Sequence, residues 1–216
     1  MSPTARSGPA YASASGAVTA RVRPRLRLSP TGLLPTAVTV TVAASIAAWW
    51  ATSAAAAVPI TIVGALALIG AVSDIRTGRI PNGVIVLALV VLAGSWGFVA
   101  IVDNRPMAPL LGDLAAGLAM SGAPAMFVIW LVAPRVLGGG DWKLLSVLGI
   151  AIGYIAPLGA TVIVMGAFVG GLAMAAVVRR RNIVLGPPLA LGYVTAVIAV
   201  TALPDLFANW YRVGLG

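Results

Sequence analysis

Two short segments of the chain contain residues able to do chemistry. Asp74 opens the segment "DIRTGRIPN" (residues 74–82), and Asp141 closes the segment "GGGD" (residues 138–141). The chain has no cysteine, histidine or glutamate, so Ser–His and Cys–His catalysis lack a base and a cysteine-based zinc site is excluded. Two carboxyl groups that share a proton can still activate water against an amide bond. These residues therefore indicate acid–base chemistry by a pair of aspartates.

Each segment taken alone also has a plain structural interpretation. "DIRTGRIPN" fits a turn between two helices in which Pro81 starts the second helix. "GGGD" fits a flexible loop that ends in an aspartate at a helix N-cap. The chemical hypothesis rests on finding both segments in one chain, in this order.

The composition indicates an integral membrane protein. Hydrophobic residues make up 60% of the 216 residues and charged residues only 9%, whereas soluble domains carry about 25% charged residues. The net charge is +9, and the basic residues cluster between apolar runs. This clustering is typical of cytoplasmic loops rather than of a nucleic-acid-binding surface.

The apolar runs predict an all-α polytopic fold with six to seven transmembrane helices. A span needs about 20 apolar residues, so the 46 uncharged residues from Leu28 to Ser73 suit two spans, divided near Pro59. The uncharged run 144–178 is likewise divided by Pro157. The other predicted helices cover residues 80–102, 109–133 and 187–203, and the two in the first run cover residues 33–54 and 57–73.

Basic residues predict the orientation of these helices. If the N-terminus is cytoplasmic, twelve of the fourteen basic residues fall on the cytoplasmic side. Asp74 and Asp141 then lie at cytoplasmic helix ends, in a multi-pass protein of the cell membrane whose C-terminus is outside. The remaining acids, which are Asp103, Asp113 and Asp205, fall on or near the outer side. The predicted orientation thus places only Asp74 and Asp141 together at the cytoplasmic helix ends.

The same pattern divides the chain into four regions. Residues 1–32 are rich in Ser, Ala, Pro and Arg, which predicts a basic, disordered cytoplasmic tail. Residues 33–54 form the first hydrophobic helix, which also fits a signal peptide. Residues 57–204 form the membrane-embedded domain, and residues 205–216 a short non-cytoplasmic tail.

The paired segments resemble the type IV prepilin peptidases, which are membrane aspartic proteases of the GxGD class. The resemblance lies in an aspartate at a helix end before an "IPN" turn, and in "GGGDWKLL" two helices later. It extends to "IVLGPPLALG" (residues 183–192), which is similar to the family's late glycine–proline stretch. The resemblance implies a GxGD protease-like bundle in which Asp74 and Asp141 are catalytic, without a metal or cofactor. The residues it implies as support for the motifs or cleft are Ile80, Pro81, Asn82, Gly138, Gly139, Gly140, Lys143, Gly186 and Pro187.

The resemblance also implies the substrate. In the family, a prepilin precursor has a short basic leader in the cytoplasm followed by an apolar helix, and a cytoplasmic dyad meets the junction between them. Larger members add a domain with cysteine pairs that is linked to N-methylation. This chain lacks cysteine and resembles the compact peptidases of Flp/Tad-type pilus systems, so methyltransferase activity is not expected. The oligomeric state and the particular pilin are not readable from the sequence.

The residue types near the aspartates have physical interpretations of their own. Gly138 and Gly140 leave room for an extended substrate strand or for a sharp turn into a helix. Lys143 lies about 200° round a helix from Asp141, which predicts an anchor at the lipid head groups rather than an ion pair. The arginines of this face are expected to bind anionic lipids. Pro157 predicts that the helix after Asp141 is short.

Two other classes of protein remain open. A small transporter or channel also places acids in membrane helices, although it favours acids near the bilayer centre and internal repeats. A non-catalytic membrane protein of a secretion or pilus assembly system is compatible with everything except the need for both motifs.

Overall fold

The computed structural model of the protein describes residues 54–104, 106–134, 137–178 and 185–207. Within these ranges every regular element is a helix, so the all-α prediction is confirmed. The helices are α1 (Ala54–Thr77), α2 (Asn82–Val102), α3 (Met107–Met120), α4 (Ala123–Val132), α5 (Gly139–Gly153), α6 (Gly159–Val178) and α7 (Gly186–Ala202). The predicted N-terminal tail and nearly all of the predicted first helix lie outside the described ranges, as does most of the predicted C-terminal tail.

Several of these helices are long and apolar enough to cross a membrane. The described part of the chain contains three such helices, in α1, α2 and α6, and a fourth span if α3 and α4 together make one. α5 and α7, with 15 and 17 residues, are shorter than the roughly 20 residues that a span needs. The chain is thus an all-α polytopic membrane protein, and the number of six to seven spans stays a prediction.

The predicted single helix over residues 109–133 is wrong. It is divided between α3 and α4, whose axes are bent by 48°. Gly122 has a positive φ of 71° at the N-cap of α4, and Pro124 occupies the first turn of that helix. A left-handed glycine ends one helix and a first-turn proline starts the next, because proline at that position loses no helical hydrogen bond.

Two other divisions were predicted near prolines. Pro59 lies inside α1 (Ala54–Thr77), as it does in the predicted helix 57–73, and the division before that helix stays a prediction because the residues before Ala54 lie outside the described ranges. The division at Pro157 is confirmed, since α5 ends at Gly153 and α6 begins at Gly159. The helix after Asp141 is therefore short, as expected.

Glycines allow the helices of the bundle to approach closely. A Cβ atom at Gly166 in α6 would lie 2.8 Å from the Cα atom of Gly192 in α7, so these backbones touch. Gly117 in α3 meets the backbone of α5 at Gly149 and Gly153 in the same way. Small residues at such contacts are the usual means of packing helices in membranes.

Two buried tyrosines tie the same bundle together through backbone carbonyls. The Tyr154 hydroxyl donates a hydrogen bond of 2.7 Å to the Leu92 carbonyl of α2. The Tyr193 hydroxyl of α7 donates one of 2.9 Å to the Ile60 carbonyl of α1. Both side chains are only 2% exposed, so each bond fixes the relative position of two helices. The helices fixed in this way, α1, α2, α5 and α7, carry the sequence motifs at their ends.

Candidate active site

One end of the bundle brings the three sequence segments together. The C-terminal end of α1 and the N-terminal ends of α2, α5 and α7 meet there. Asp74 accepts a hydrogen bond from Gly186, 112 residues later in the chain, and Ile80 packs against Gly140. The residues that the sequence nominated from separate segments are therefore neighbours in space.

Asp74 lies in the last turn of α1 and is 7% exposed. Its Oδ2 atom accepts a hydrogen bond of 2.9 Å from the backbone N–H of Gly186, the first residue of α7. The N-terminus of a helix carries partial positive charge and stabilises a carboxylate. A Cβ atom at position 186 would lie 2.8 Å from Oδ2 and 3.2 Å from the Cα atom of Ala71. Glycine is thus the residue that lets α7 approach this carboxyl group.

The turn after Asp74 is closed by its own residues. Gly78 has a φ of 69°, and its N–H donates to the Asp74 carbonyl at 2.8 Å, as in a left-handed helix C-cap. The hydroxyls of Ser73 and Thr77 each donate to the Arg79 carbonyl at 3.2 Å. These bonds explain why "DIRTGR" ends α1 and directs the chain toward Ile80.

Asp141 is the third residue of α5, and the N-cap of that helix is Gly138. The alternative interpretation of Asp141 as an N-cap is therefore wrong. Its carboxyl group lies beside Gly138, where a Cβ atom would be 2.8 Å from Oδ2. α5 is not one of the candidate spans. Burial, and after it the negative charge of Asp74, raises the pKa of Asp141 to about 6, against a hydrogen bond from the Gly138 backbone that lowers it. The two carboxyl groups are therefore electrostatically coupled.

Protein side chains fill the space that the other two glycines of "GGGD" leave. A Cβ atom at Gly140 would lie 2.9 Å from the Cβ of Ile80, and one at Gly139 would lie 3.3 Å from the Trp130 Nε1. Ile80 is 8% exposed, so it cannot move into solvent without leaving the core. Gly140 therefore makes room for the Ile80 side chain, whereas the sequence suggested that it makes room for a substrate strand.

The remaining nominated residues surround this junction. Pro81 is the N-cap of α2, and Pro187 lies in the first turn of α7. The Lys143 Nζ donates a hydrogen bond of 3.3 Å to the Asn82 Oδ1. The structure therefore places every nominated residue at the same end of the bundle.

A sequence model of the type IV leader peptidase family matches residues 60–178, which is more than half of the 216 residues. The chain belongs to the type IV leader peptidase family. It is therefore a peptidase, and the family implies a prepilin as its substrate in general terms. Both motif aspartates lie inside the matched range, whereas Gly186 lies beyond it. Neither the curated proteins nor the solved structures gave a match to the chain.

In this leader peptidase an aromatic cluster stands beside the "GGGD" segment. Trp142 lies with its ring centroid 4.8 Å from that of Phe127 and 6.0 Å from that of Trp130. Phe127 and Trp130 lie outside the motif segments of the sequence. The sequence does contain a signal for this cluster. Phe127 and Trp130 are three residues apart on one helix face, and Trp130 and Trp142 lie on either side of the glycines.

A third acid lies in α3, far from the junction. Asp113 is in α3, and its carbonyl faces Gly153, the last residue of α5. Gly153 is 12 residues beyond Asp141, or about 18 Å along the helix. Within the described ranges, no three side chains of His, Cys, Asp or Glu come together as a metal site would need. Among the described residues, Asp74 and Asp141 are thus the two acids at this end of the bundle.

Proposed function

We propose that this peptidase removes the leader peptide from type IV prepilin precursors of the Flp/Tad-like kind, using Asp74 and Asp141 as a water-activating dyad. The observation that carries the proposal is the meeting of the two motif segments at one end of the bundle, where Ile80 packs against Gly140 and the Lys143 Nζ donates to the Asn82 Oδ1 at 3.3 Å. The two aspartates are 67 residues apart in the chain, and in agreement with this contact, burial first and the charge of Asp74 second raise the pKa of Asp141. A pair of carboxyl groups that share a proton is the arrangement that aspartic proteases use.

The environments of the two carboxyl groups suggest separate roles. Asp74, held by the N–H of Gly186, acts as the ionised base and takes a proton from the attacking water. Asp141, with a pKa of about 6, holds the shared proton and donates it to the scissile carbonyl oxygen. The tetrahedral intermediate then collapses as the proton taken from water passes from Asp74 to the leaving nitrogen, and the C–N bond breaks. Asp141 regains its proton when the new carbonyl forms, which restores the starting state of the dyad.

The membrane-spanning helices suggest where cleavage occurs. The candidate spans α1 and α2 meet at the "DIRTGRIPN" turn, so the dyad lies at the edge of the apolar layer. We place this edge on the cytoplasmic side, with the N-terminus cytoplasmic and the C-terminus outside, because the basic residues favour that orientation. A precursor whose basic leader is cytoplasmic and whose next segment is an apolar helix would present its junction at this depth.

The domain organisation inferred from sequence completes the proposal. We assign residues 57–204 to the membrane-embedded peptidase domain, residues 1–32 to a cytoplasmic tail and residues 205–216 to a non-cytoplasmic tail. Residues 33–54 are the first hydrophobic helix or a signal peptide. Because the chain has no cysteine, it lacks the cysteine pairs of the larger members that also methylate pilins, and we assign it peptidase activity alone.

Co-expression with an Flp-type prepilin tests this function. The wild type is expected to convert the precursor to mature pilin, whereas Asp74→Asn and Asp141→Asn leave it uncut at normal membrane levels. Asp113→Asn is the matched control and is expected to cleave normally, because Asp113 lies at the other end of α5. Normal processing by either dyad variant would contradict the mechanism.

A further inference from the structure

A side-chain hydrogen bond joins the two motif segments close to the dyad. The Lys143 Nζ donates to the Asn82 Oδ1 at 3.3 Å, across 61 residues of sequence. Lys143 is two residues beyond Asp141, and Asn82 is eight residues beyond Asp74. Asn82 is also the first residue of α2, so this bond connects the N-terminal ends of α2 and α5.

An apolar contact links the same two segments, two residues before Asn82 and three residues before Lys143. Ile80 is 8% exposed, and its side chain packs on Gly140, where a Cβ atom would lie 2.9 Å from the Cβ atom of Ile80. The two contacts follow the same order along both segments, since Ile80 meets Gly140 and Asn82 meets Lys143. The turn after Asp74 is therefore fixed to the first turn of α5 at two points.

The surroundings of Lys143 differ from those of a lipid anchor. A lysine that reaches for head groups extends its ammonium into the interface, as the exposed Arg76 and Arg79 are free to do. Lys143 is half-buried. Its Nζ lies 3.3 Å from the Oδ1 atom of the exposed Asn82 and 5.9 Å from the ring centroid of Trp142. The lysine thus has two partners within the protein.

We propose that Asn82 and Lys143 form a clasp that sets the separation of Asp74 and Asp141, which makes Lys143 and Asn82 positioning residues for the dyad. This inference rests on the proposed function. Proton sharing requires the two carboxyl groups to stay within hydrogen-bond reach, and a displacement of about 1 Å reduces the rate of such reactions by about 100-fold. The Ile80–Gly140 contact alone would let the turn after Asp74 rotate about that point relative to α5. The hydrogen bond between Asn82 and Lys143 prevents this rotation.

Single-turnover cleavage of a prepilin in membranes tests the clasp. Lys143→Met keeps the length of the side chain and removes the donor, and Asn82→Leu keeps the approximate volume and removes the acceptor. Each variant is expected to lower the single-turnover rate constant at saturation about 10- to 100-fold with the half-saturating concentration unchanged, because geometry and not substrate binding is lost. Lys143→Arg keeps a donor and is expected to stay within about threefold of the wild type.

Reciprocal exchange separates a clasp from two independent roles. The double variant Asn82→Lys with Lys143→Asn restores a donor and an acceptor across the same gap, so it is expected to cleave faster than either single variant. The pair Asn82→Leu with Lys143→Met is expected to be no slower than either alone, because one interaction is removed only once. The clasp would be overturned if the fold-reductions of the two single variants multiplied in the Asn82→Leu and Lys143→Met pair. It would also be overturned if the exchanged pair cleaved no faster than either single variant.

A measurement without substrate keeps the clasp separate from the proposed function. Dicyclohexylcarbodiimide labels protonated carboxyl groups, so the pH at which Asp141 loses its labelling reports its protonation. In Asn82→Leu, which changes no charge, we expect this midpoint to fall by about half a pH unit or more, because Asp74 moves away. In Lys143→Met the loss of a positive charge alone would raise the midpoint, so a fall there also supports the clasp.

The two readouts give distinguishable failures. An unchanged labelling midpoint in Asn82→Leu overturns the clasp, whatever the cleavage results are. A wild type that cleaves none of several prepilins overturns the proposed function, and the labelling midpoints alone then decide the clasp. The charged side chains of the two segments are Asp74, Arg76, Arg79, Asp141 and Lys143, and the Asn82→Leu variant leaves all of them in place.

Discussion

Glycines at two places in this peptidase do different things. Between helices, Gly192 and Gly117 make room for backbone, since a Cβ atom there would collide with carbonyl groups of α6 and α5 respectively. At the motif end, Gly138 and Gly186 make room for carboxyl groups, since a Cβ atom there would lie 2.8 Å from the Oδ2 of Asp141 and of Asp74. The first kind of contact is between rigid backbones, whereas the contact at Gly138 involves only an acidic side chain. Gly186 combines the two kinds, because its Cβ would also lie 3.2 Å from the Cα atom of Ala71.

The two kinds of contact predict different effects of substitution, one on stability and the other on catalysis. A packed backbone has no room to move, so a substitution at the helix interfaces must displace a whole helix. The Asp141 carboxyl can rotate away from Gly138, so a substitution there moves a functional group and leaves the helices in place. The two groups of glycines should therefore give distinct phenotypes when each is changed to alanine.

The largest expected effect is at a helix interface. In Gly192→Ala the new Cβ meets the Ile163 carbonyl of α6 and lies 2.9 Å from the Ala167 N. We expect a loss of about 3 kcal/mol or more in the free energy of unfolding, seen as a lower midpoint of thermal denaturation in detergent. Gly94→Ala in α2 is the control, because among the described residues no atom outside its own stretch of helix lies within 4 Å of its Cβ. It is expected to gain up to about 1 kcal/mol from helix propensity, and equal behaviour of the two variants would refute the distinction.

A change at the motif end is expected to reduce activity and largely spare the fold. In Gly138→Ala the Cβ would lie 2.8 Å from the Asp141 Oδ2, so the carboxyl group must leave the position that it holds beside Gly138. We expect cleavage to fall by about 10- to 100-fold with a loss of about 1 kcal/mol in stability, because alanine is a poorer N-cap than glycine.

Gly83→Ala provides a matched control in the first turn of α2. Apart from its own stretch of helix, no atom in the described part of the chain lies within 4 Å of its Cβ, so its cleavage rate is expected to stay near that of the wild type. If Gly138→Ala lost activity only in proportion to its loss of folded protein, the carboxyl-group role of Gly138 would be wrong.

The smallest expected effect is a gain in stability when an acid is removed. The pKa of Asp141 is raised from 3.8 to about 6 in the folded chain. The folded state therefore binds the proton more tightly, and the free energy of unfolding falls as the pH rises from about 4 to about 6. The full shift corresponds to about 3 kcal/mol, which solvent screening at this partly exposed site reduces to about 1 kcal/mol.

Thermal denaturation at two pH values measures this effect. Asp141→Asn is expected to be about 1 kcal/mol more stable than the wild type at pH ~7.5 and nearly equal to it at pH ~4.5. A variant that is less stable at the higher pH would mean that the charged carboxyl group is favourably held, contrary to its raised pKa.

Sequence reasoning found the residues of the site better than the contacts between them. The two aspartates and the late glycine–proline stretch follow from local motifs, and the end of α5 follows from Pro157. The bond from Gly186 to Asp74 joins residues 112 positions apart, and no local pattern specifies such a contact. A lysine has many rotamers, which is why the partner of Lys143 was not readable from its position on the helix.

The bend between α3 and α4 was missed for a different reason. Residues 109–133 carry a charge only at Asp113, so hydropathy alone favours one span there. The signals for a break were Gly122 and Pro124, and they were outweighed by the length and hydrophobicity of the segment. A glycine two residues before a proline is a helix boundary signal on backbone grounds, even inside an apolar run.

The electrostatic coupling of Asp74 and Asp141 is the central claim, and carbodiimide labelling of Asp141 as a function of pH tests it most directly. The labelling midpoint is expected near the Asp141 pKa of about 6 in the wild type. It is expected to fall on the order of one pH unit in Asp74→Asn, where the neighbouring charge is gone, and to stay unchanged in Asp113→Asn. A midpoint in Asp74→Asn equal to that of the wild type would show that the two carboxyl groups do not act as a pair.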